Sequence, residues 1–549
     1  MADQIGTKTE LPDGMFPVLD EAQIARLKPL GEERRFRAGE IIFDQGDSEH
    51  GVFVVLDGEI ELMSVINGQE SAFMIHGPGI FTGEVNQLSG RRSLVRCRAR
   101  QASRVLEISR SNLQRLMQDD AALGEIFLRA FILRRVYLIS HSVGDAVLIG
   151  SMNSADTLRL RAFLSRNGHP FSYIDVEKDV DVQTTLDHFG VKVSEIPVLI
   201  CRGELVLRNP TNTEAAVCFG LNEGIDEASV YDLIVVGAGP SGLAAAVYGA
   251  SEGLNVLVIE STAPGGQAGS SSRIENYLGF PMGISGQELA SRAFVQAEKF
   301  GAHIAVARSA AALKCVRPPY LLELTDGGSV QARSLIVATG VQYRRLNLPN
   351  LAHFEGAGVY YGATQVEAQV CADQEVAIVG GGNSAGQAAI FLSTVAKHVY
   401  LLVRGPGLSE TMSRYLISRI QASPEITLKT FTEIEALEGN GHLERTHWRN
   451  TQTGEQHTCD TKHLFLMTGA CPNTQWLSGC VALDSKQFIK TGAEVGSDWH
   501  GQRPPYLLET SLPGVFAVGD VRAGSMKRVA AAVGEGSMAV QFVHKVLAD

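Results

Sequence analysis

Two stretches of this chain share one pattern, and that pattern leaves few folds open to it. Residues 231–260, YDLIVVGAGPSGLAAAVYGASEGLNVLVIE, read as an apolar strand, a glycine turn, a small-residue helix and a second apolar strand. Residues 375–404, EVAIVGGGNSAGQAAIFLSTVAKHVYLLVR, repeat that order. A strand that enters a helix through a tight turn and returns beside itself is the unit of a doubly wound parallel sheet. In the first copy Gly237 permits the turn, Gly239 lets the backbone approach a pyrophosphate, and Gly242 lets helix and strand pack closely. Pro240 and Ser241 open the helix, so its N-terminus faces the anion. In the second copy Gly380, Gly382 and Ala385 take the three positions, with Asn383 and Ser384 at the helix start.

The two copies differ where their second strands end. The first ends at Glu260, whose carboxylate accepts hydrogen bonds from ribose hydroxyls. The second ends at Arg404, which cannot accept but can pair with a 2′-phosphate, and Arg414 offers a second cation. This predicts FAD at the first turn and NADPH at the second. The competing readings are a phosphate-free turn at Gly237–Gly242, and a solvated Arg404 with NADH as donor.

From Tyr231 to the C-terminus, the motif order resembles that of the low-molecular-weight thioredoxin reductases. Gly265-Gly266-Gln267 follows the first turn, then IENYLGFP (Ile274 to Pro281), where Asn276 matches a flavin-contacting residue. LIVATG, Leu335 to Gly340 and including Thr339, matches the strand that returns toward the flavin, and CPNT (Cys471 to Thr474) marks a second return. GVFAVGD, Gly514 to Asp520, resembles the family's second FAD fingerprint, in which Gly519-Asp520 holds the ribityl chain. Arg528-Val529-Ala530 resembles the segment beside the flavin. The resemblance implies a homodimeric reductase that moves hydride from NADPH to FAD. It also implies an NADPH domain at 351–457 set between two parts of an FAD domain, 229–350 and 458–549.

One departure bears on the reaction. Relatives that reduce thioredoxin carry Cys-Ala-Thr-Cys just before the second turn, whereas this chain has Gly362-Ala363-Thr364-Gln365. Neither glycine nor glutamine forms a thiolate or a mixed disulfide. Cys371 is near in sequence but has no partner at a usable spacing, and its plain reading is an inert thiol. Three outcomes stay open: transfer to ferredoxin or a small molecule, as in dithiol-free members of that family; reduction of a thioredoxin-like protein through other thiols; and a flavin sensor with little turnover.

Residues 141–225 alternate strand, helix and strand and resemble a thioredoxin- or glutaredoxin-like domain, with Ile196-Pro197 at its cis-proline position. Ser151-Met152-Asn153-Ser154 occupies the place of the redox pair, so the module is expected to be silent in thiol exchange and to serve as scaffold. A plain βαβ spacer is the alternative. Residues 1–140 hold short alternating strands separated by Gly39, Gly46 and Gly58, and resemble the β-roll of cyclic nucleotide-binding domains. There Gly83-Glu84 and Arg92-Ser93 match the residues that hold ribose and cyclic phosphate, making them candidates for a regulatory ligand. The cassette is one residue short, Asn86-Gln87 replaces small apolar residues, and Arg91, Arg96 and Arg98 add positive charge. A degenerate roll that makes dimer contacts or holds another anion is the competing reading.

The chain is thus read as multidomain: a β-roll, an α/β thioredoxin-like module and two Rossmann-like α/β domains. A net charge of −12 argues against a nucleic-acid surface, and no run approaches the roughly 18 apolar residues of a membrane helix. The first residues have neither the basic nor the apolar region of a signal peptide, and eight scattered cysteines fit reduced thiols in a cytoplasm. No side chain is assigned a nucleophile's role, because a bound flavin supplies the chemistry, and no metal site is expected.

Overall fold

The computed structural model describes residues 13–548, apart from 48–49, 67–68, 84–85, 90–91, 141–145, 153, 179–191, 193–194, 202–204, 222–224, 272 and 410–411. The N-terminal roll pairs a three-stranded sheet, Gly31–Phe36, Ser103–Ile108 and Val52–Asp57, with a four-stranded one. That second sheet runs Ile41–Phe43, Arg96–Ala99, Ile60–Ile66, Gln69–His76. Strand Val52–Asp57 is buried on both faces. Phe53 and Val55 point into the roll with Ile60 and Val105, while Val52 and Val54 pack under helices Arg110–Asp119 and Ala121–Ser140 with Leu113, Phe127 and Phe131. Period-two alternation explains why a strand that is apolar from Val52 to Leu56 belongs at this junction.

The middle module is a four-stranded sheet in the order Leu205–Arg208, Val198–Cys201, Ala146–Gly150, Phe171–Asp175. Ala146–Gly150 and Phe171–Asp175 are parallel and joined by helix Ala155–Arg166; the other pairings are antiparallel. The Ile196–Pro197 bond is cis.

Both glycine-turn strands have a parallel neighbour on each side. Val230–Val236 lies between Val256–Glu260 and Ser329–Val337, and Val515–Ala517 pairs with the latter. Leu233 and Val235 face helices Pro240–Ser251 and Val529–Ala548, while Ile234 and Val236 face the opposite layer. In the second domain the order is Val359–Tyr360, His463–Leu466, Glu375–Val379, His398–Leu402, Ile426–Lys429. Strand His463–Leu466 belongs to this sheet, so the domain runs past the expected end at 457 and the chain returns only at Ala470–Pro472. That segment pairs antiparallel with Val341–Tyr343, which makes a two-stranded crossing between the domains.

The thiols depart from expectation. Cys201 pairs with Cys218 and Cys315 with Cys480, while Cys97, Cys371, Cys459 and Cys471 are free. Separations of 17 and 165 residues carry no motif; only packing brings these sulfurs together. Among the described residues no helix is long and apolar enough to cross a membrane, and no cluster of side chains could hold a metal.

Candidate functional site

The first glycine turn separates packing from recognition. Gly237 has φ +107°, and a Cβ there would stand 2.4 Å from the Ala338 carbonyl oxygen. A Cβ on Gly242 would stand 1.8 Å from the Gly237 carbonyl oxygen. These two glycines let strand and helix touch. Gly239 differs: nothing lies within 4 Å of its Cβ position, and no side chain caps the helix that starts at Pro240. The helix therefore presents free amides to open space, as a pyrophosphate site requires. Glu260 is buried beside it. Its carboxylate accepts from the amides of Ala238 and Thr262, both at 2.8 Å, and Ala263 at 3.1 Å, which leaves one acceptor position, on Oε2, for a ribose hydroxyl.

The turn opens into a cleft of about 650 Å³. Gly266, Gln267, Asn276, Thr339, Gly340, Asp520, Arg528 and Val529 all line it, with Pro240 and Ser241. Gln267 donates to the Val341 carbonyl, and Thr339 and Asn473 exchange hydrogen bonds at 2.9 Å, joining the two domain crossings. Gly519 lies behind Ser241, its amide donating to Glu535 at 2.7 Å, and Arg522 holds that carboxylate. This clasp aims Asp520 into the cleft, where burial pushes its pKa up against the pull of Lys527. Ala530 is exposed and does not line the cleft; Ala532 does, because the helix turns it inward.

The second turn repeats the geometry. Gly380 has φ +147° with its Cβ position 2.4 Å from the Met467 carbonyl oxygen, Gly382 is open, and Ala385 is buried. Asn383 and Ser384 reach the same cleft as the first turn. Asn383 accepts from the Ser413 amide at 2.8 Å, which brings the start of helix Arg414–Ala422 to the turn. Arg404 and Arg414 are exposed, and neither guanidinium has an ion pair among the described residues.

One cleft residue comes from outside both Rossmann domains. Arg166 ends the middle module's helix and donates to the Gly266 carbonyl at 3.0 Å. Its Nε is buried without a partner, and burial lowers its pKa while Glu260 opposes that. Gly266 lies against Gly239, so this cation faces the pyrophosphate position. No motif marks Arg166 in the sequence, since its role depends on docking between domains.

The segment Gly362–Gln365 stands where the dithiol is missing. Gly362 lies against Ser270, just past helix Gly266–Gly269 of the flavin side. Thr364 and Glu367 form a reciprocal cap on helix Gln365–Val370. The middle module covers this place: Leu158 packs with Ala363, Ala368 and Cys371, and Arg161 donates to Gln369 at 3.0 Å. Cys371 is fully buried, and burial pushes its thiol up to about 12.

In the roll, Gly83 and Ser93 border a small cavity that Arg92 does not line, and Glu84 and Arg91 lie outside the described residues. Arg96 pairs with Asp44 and Glu70, and Arg98 with Glu61 and Glu70, so these cations are neutralised by the roll itself.

Two pyrophosphate-ready turns that share one cleft, one backed by a carboxylate and the other flanked by arginines, define a two-Rossmann flavin oxidoreductase. Residues 231–536, more than half of the chain, match the family model described as pyridine nucleotide-disulphide oxidoreductase, and the chain belongs to that family. Residues 33–120 match the cyclic nucleotide-binding domain. Thioredoxin reductase of Mycolicibacterium smegmatis is 33% identical over 321 residues, 58% of this chain and 98% of that protein. NADPH-dependent thioredoxin reductase 3 of Arabidopsis thaliana is 31% identical over 362 residues, and the match spans 65% of the plant protein. Among solved structures, Lactococcus lactis thioredoxin reductase in its FR conformation superposes with TM-score 0.53 and 26% identity, over 58% of this chain and 99% of that one. This chain is an NADPH-dependent FAD oxidoreductase of the thioredoxin-reductase type.

Proposed function

We propose that this reductase delivers its electrons to an acceptor other than a protein disulfide, either a one-electron carrier such as ferredoxin or a small molecule. FAD, when bound, supplies the chemistry by accepting the two electrons of NADPH and passing them on. The chain's part is to hold the ring systems and exclude competing routes. Gly239, the Ser241 amide, Glu260 and Asp520 fit FAD; Gly382, Arg404 and Arg414 fit a 2′-phosphorylated dinucleotide. The observation that carries the reading is Gly362–Gln365: the position against Ser270 holds no sulfur, and the middle module roofs it. A thioredoxin-like partner would find no thiolate there to attack its disulfide.

A second reading rests on Cys315–Cys480, a half-buried bond that follows Trp476 of the cleft lining. If that bond exchanged with the flavin, a thioredoxin-like protein would again be the substrate. Steady-state assays separate the two. NADPH oxidation with ferricyanide or ferredoxin, and none with oxidised thioredoxin, supports the first reading; rapid thioredoxin reduction abolished in Cys315→Ala overturns it. Control of this activity through the N-terminal roll is part of the same proposal. The roll's short helix Asn86–Ser89 packs on helix Gly286–Lys299 of the FAD domain, which gives a ligand in the roll a mechanical route to the cleft.

A further inference from the structure

Helix Ala155–Arg166 of the middle module carries two stripes of side chains that point nearly opposite ways. Leu160, Phe163, Leu164 and Asn167 follow the i, i+3, i+4, i+7 spacing of one helical face, while Ala155, Leu158 and Arg161 recur every third residue on another. The first stripe anchors the module on the FAD domain. Leu160, Phe163 and Leu164 share a buried cluster with Phe219, Leu221, Leu243 and Phe294. At the end of the helix Asn167 donates to the Thr262 carbonyl at 3.1 Å, and Gln287 donates to that of Arg166 at 2.9 Å.

The second stripe meets the NADPH domain. A Cβ on Gly356 would stand 2.9 Å from that of Ala155. Leu158, 8% exposed, leaves its own module's core and joins Ala363, Ala368 and Cys371 in that of the NADPH domain. Arg161 is braced against the Tyr173 ring, 4.4 Å from its centre, and donates to Gln369 at 3.0 Å. One rigid helix therefore touches both Rossmann domains at once.

The other links between those domains are weaker. Val341–Tyr343 and Ala470–Pro472 cross as a two-stranded ribbon, with Thr339 and Asn473 bonded beside it. Such a ribbon is marginal alone and suits a hinge. Arg419 donates to Glu275 at 3.0 Å, but this ion pair is largely exposed, and exposed pairs contribute little. Burial of the Leu158 side chain outweighs it.

We propose that helix Ala155–Arg166 is a strut that holds the NADPH domain where its glycine turn opens on the flavin cleft, which makes Leu158 and Arg161 positioning residues for hydride transfer. In the orientation held, Asn383, Ser384 and Gln387 line the cleft together with Gly239 and Asp520. Reacting atoms must stand about 3–3.5 Å apart, and a misplacement of about 1 Å can cost about 100-fold in rate. The strut serves the step in which one hydrogen and two electrons leave NADPH for FAD, so it holds for any final acceptor.

The test uses full-length holoprotein and two variants that free the strut from the NADPH domain alone. Leu158→Glu places a charge among Ala363, Ala368 and Cys371, and Ala155→Leu wedges the helix off Gly356. Amide hydrogen exchange in helix Gln365–Val370 should rise in both. At saturating NADPH, stopped-flow reduction of the flavin should slow about tenfold or more. Calorimetric affinity for NADP+ and FAD content should stay within about twofold of wild type. That split between binding and rate separates positioning from loss of fold. Leu158→Met keeps the volume and should reduce its flavin at the wild-type rate, as should Arg419→Gln, which breaks only the ion pair. If Leu158→Glu misfolds, Ala155→Leu carries the decision. Unchanged exchange, an unchanged rate in a released variant, a fall in NADP+ affinity that matches the fall in rate, or equal slowing in Arg419→Gln each overturns the proposal.

Discussion

Replacing Arg166 with Met removes a cation from the FAD cleft while keeping most of its bulk. The wild-type guanidinium holds the Gly266 carbonyl and leaves Nε unpartnered beside the first turn, so bound pyrophosphate is its natural acceptor. A hydrogen bond to a charged group contributes about 1.5–3 kcal/mol net. At about 1.4 kcal/mol per tenfold, that is a 10- to 100-fold weaker FAD complex. Burial already penalises this charge, as its lowered pKa shows, and that desolvation is recovered when the charge goes. The lower end, about tenfold, is therefore expected. The assay is to strip the flavin and titrate FAD back into apoprotein, following quenching of flavin fluorescence. Gln287→Ala is the control: Gln287 donates to the Arg166 carbonyl at 2.9 Å, so the variant loosens docking without touching the cation. It should bind FAD within about twofold of wild type. If Arg166→Met binds FAD as tightly as wild type, the middle module plays no part in the cofactor site.

The glycines of the first turn should separate by geometry. Gly239→Val has room in the protein, so the chain should fold with the midpoint of wild-type apoprotein yet retain no FAD, whereas Gly242→Ala drives a methyl into the Gly237 carbonyl and should lower the apoprotein midpoint itself; visible spectra and thermal melts decide, and full flavin retention in Gly239→Val would refute the assignment. Arg404→Glu removes an exposed cation and should shift the ratio of kcat/KM values toward NADH with no change in stability; an unchanged ratio would count against its 2′-phosphate role. His76 is held neutral by burial, with its pKa at about 3 against an ordinary 6.5. Its contribution to stability is present above pH 6.5 and falls away on acidification toward pH 3, by about 1.4 kcal/mol per pH unit. His76→Leu should accordingly lose less stability than wild type between pH 7 and pH 5 in denaturant melts, and an equal loss would show that His76 is not the titrating group. Cys371, buried and with its pKa pushed up to about 12, should resist alkylation in the native protein, and fast labelling there would contradict its burial.

The two turns were legible because their signals are local. Gly237, Gly239 and Gly242 act within six residues, and the change from Glu260 to Arg404 falls at one repeated position. The cleft followed from the same logic, because strand ends such as Thr339–Gly340 and Gly519–Asp520 are fixed by the parallel sheet. What escaped depends on contacts distant in sequence. Arg166 reaches the cleft only because the middle module docks on Gly266, and Cys315 meets Cys480 across 165 residues. The boundary at 457 missed a strand because His463–Leu466 is a short apolar run without a turn signature. Ala530 and Ala532 differ only in helical phase, which the exposed start of Val529–Ala548 does not reveal. In the roll, the cassette motif drew attention to Arg92, while the cation that lines the small cavity there, Arg134, stands in a helix with no motif.

The central claim, that flavin is the only redox centre in communication with NADPH, is tested most directly by counting electrons. Purified holoprotein would be titrated anaerobically with NADPH while the flavin absorbance is followed to full bleaching. The account predicts two electrons per FAD and no new thiols on subsequent titration. Uptake of four electrons, with two thiols appearing, would mean that a disulfide such as Cys315–Cys480 exchanges with the flavin, and the acceptor proposed above would be wrong.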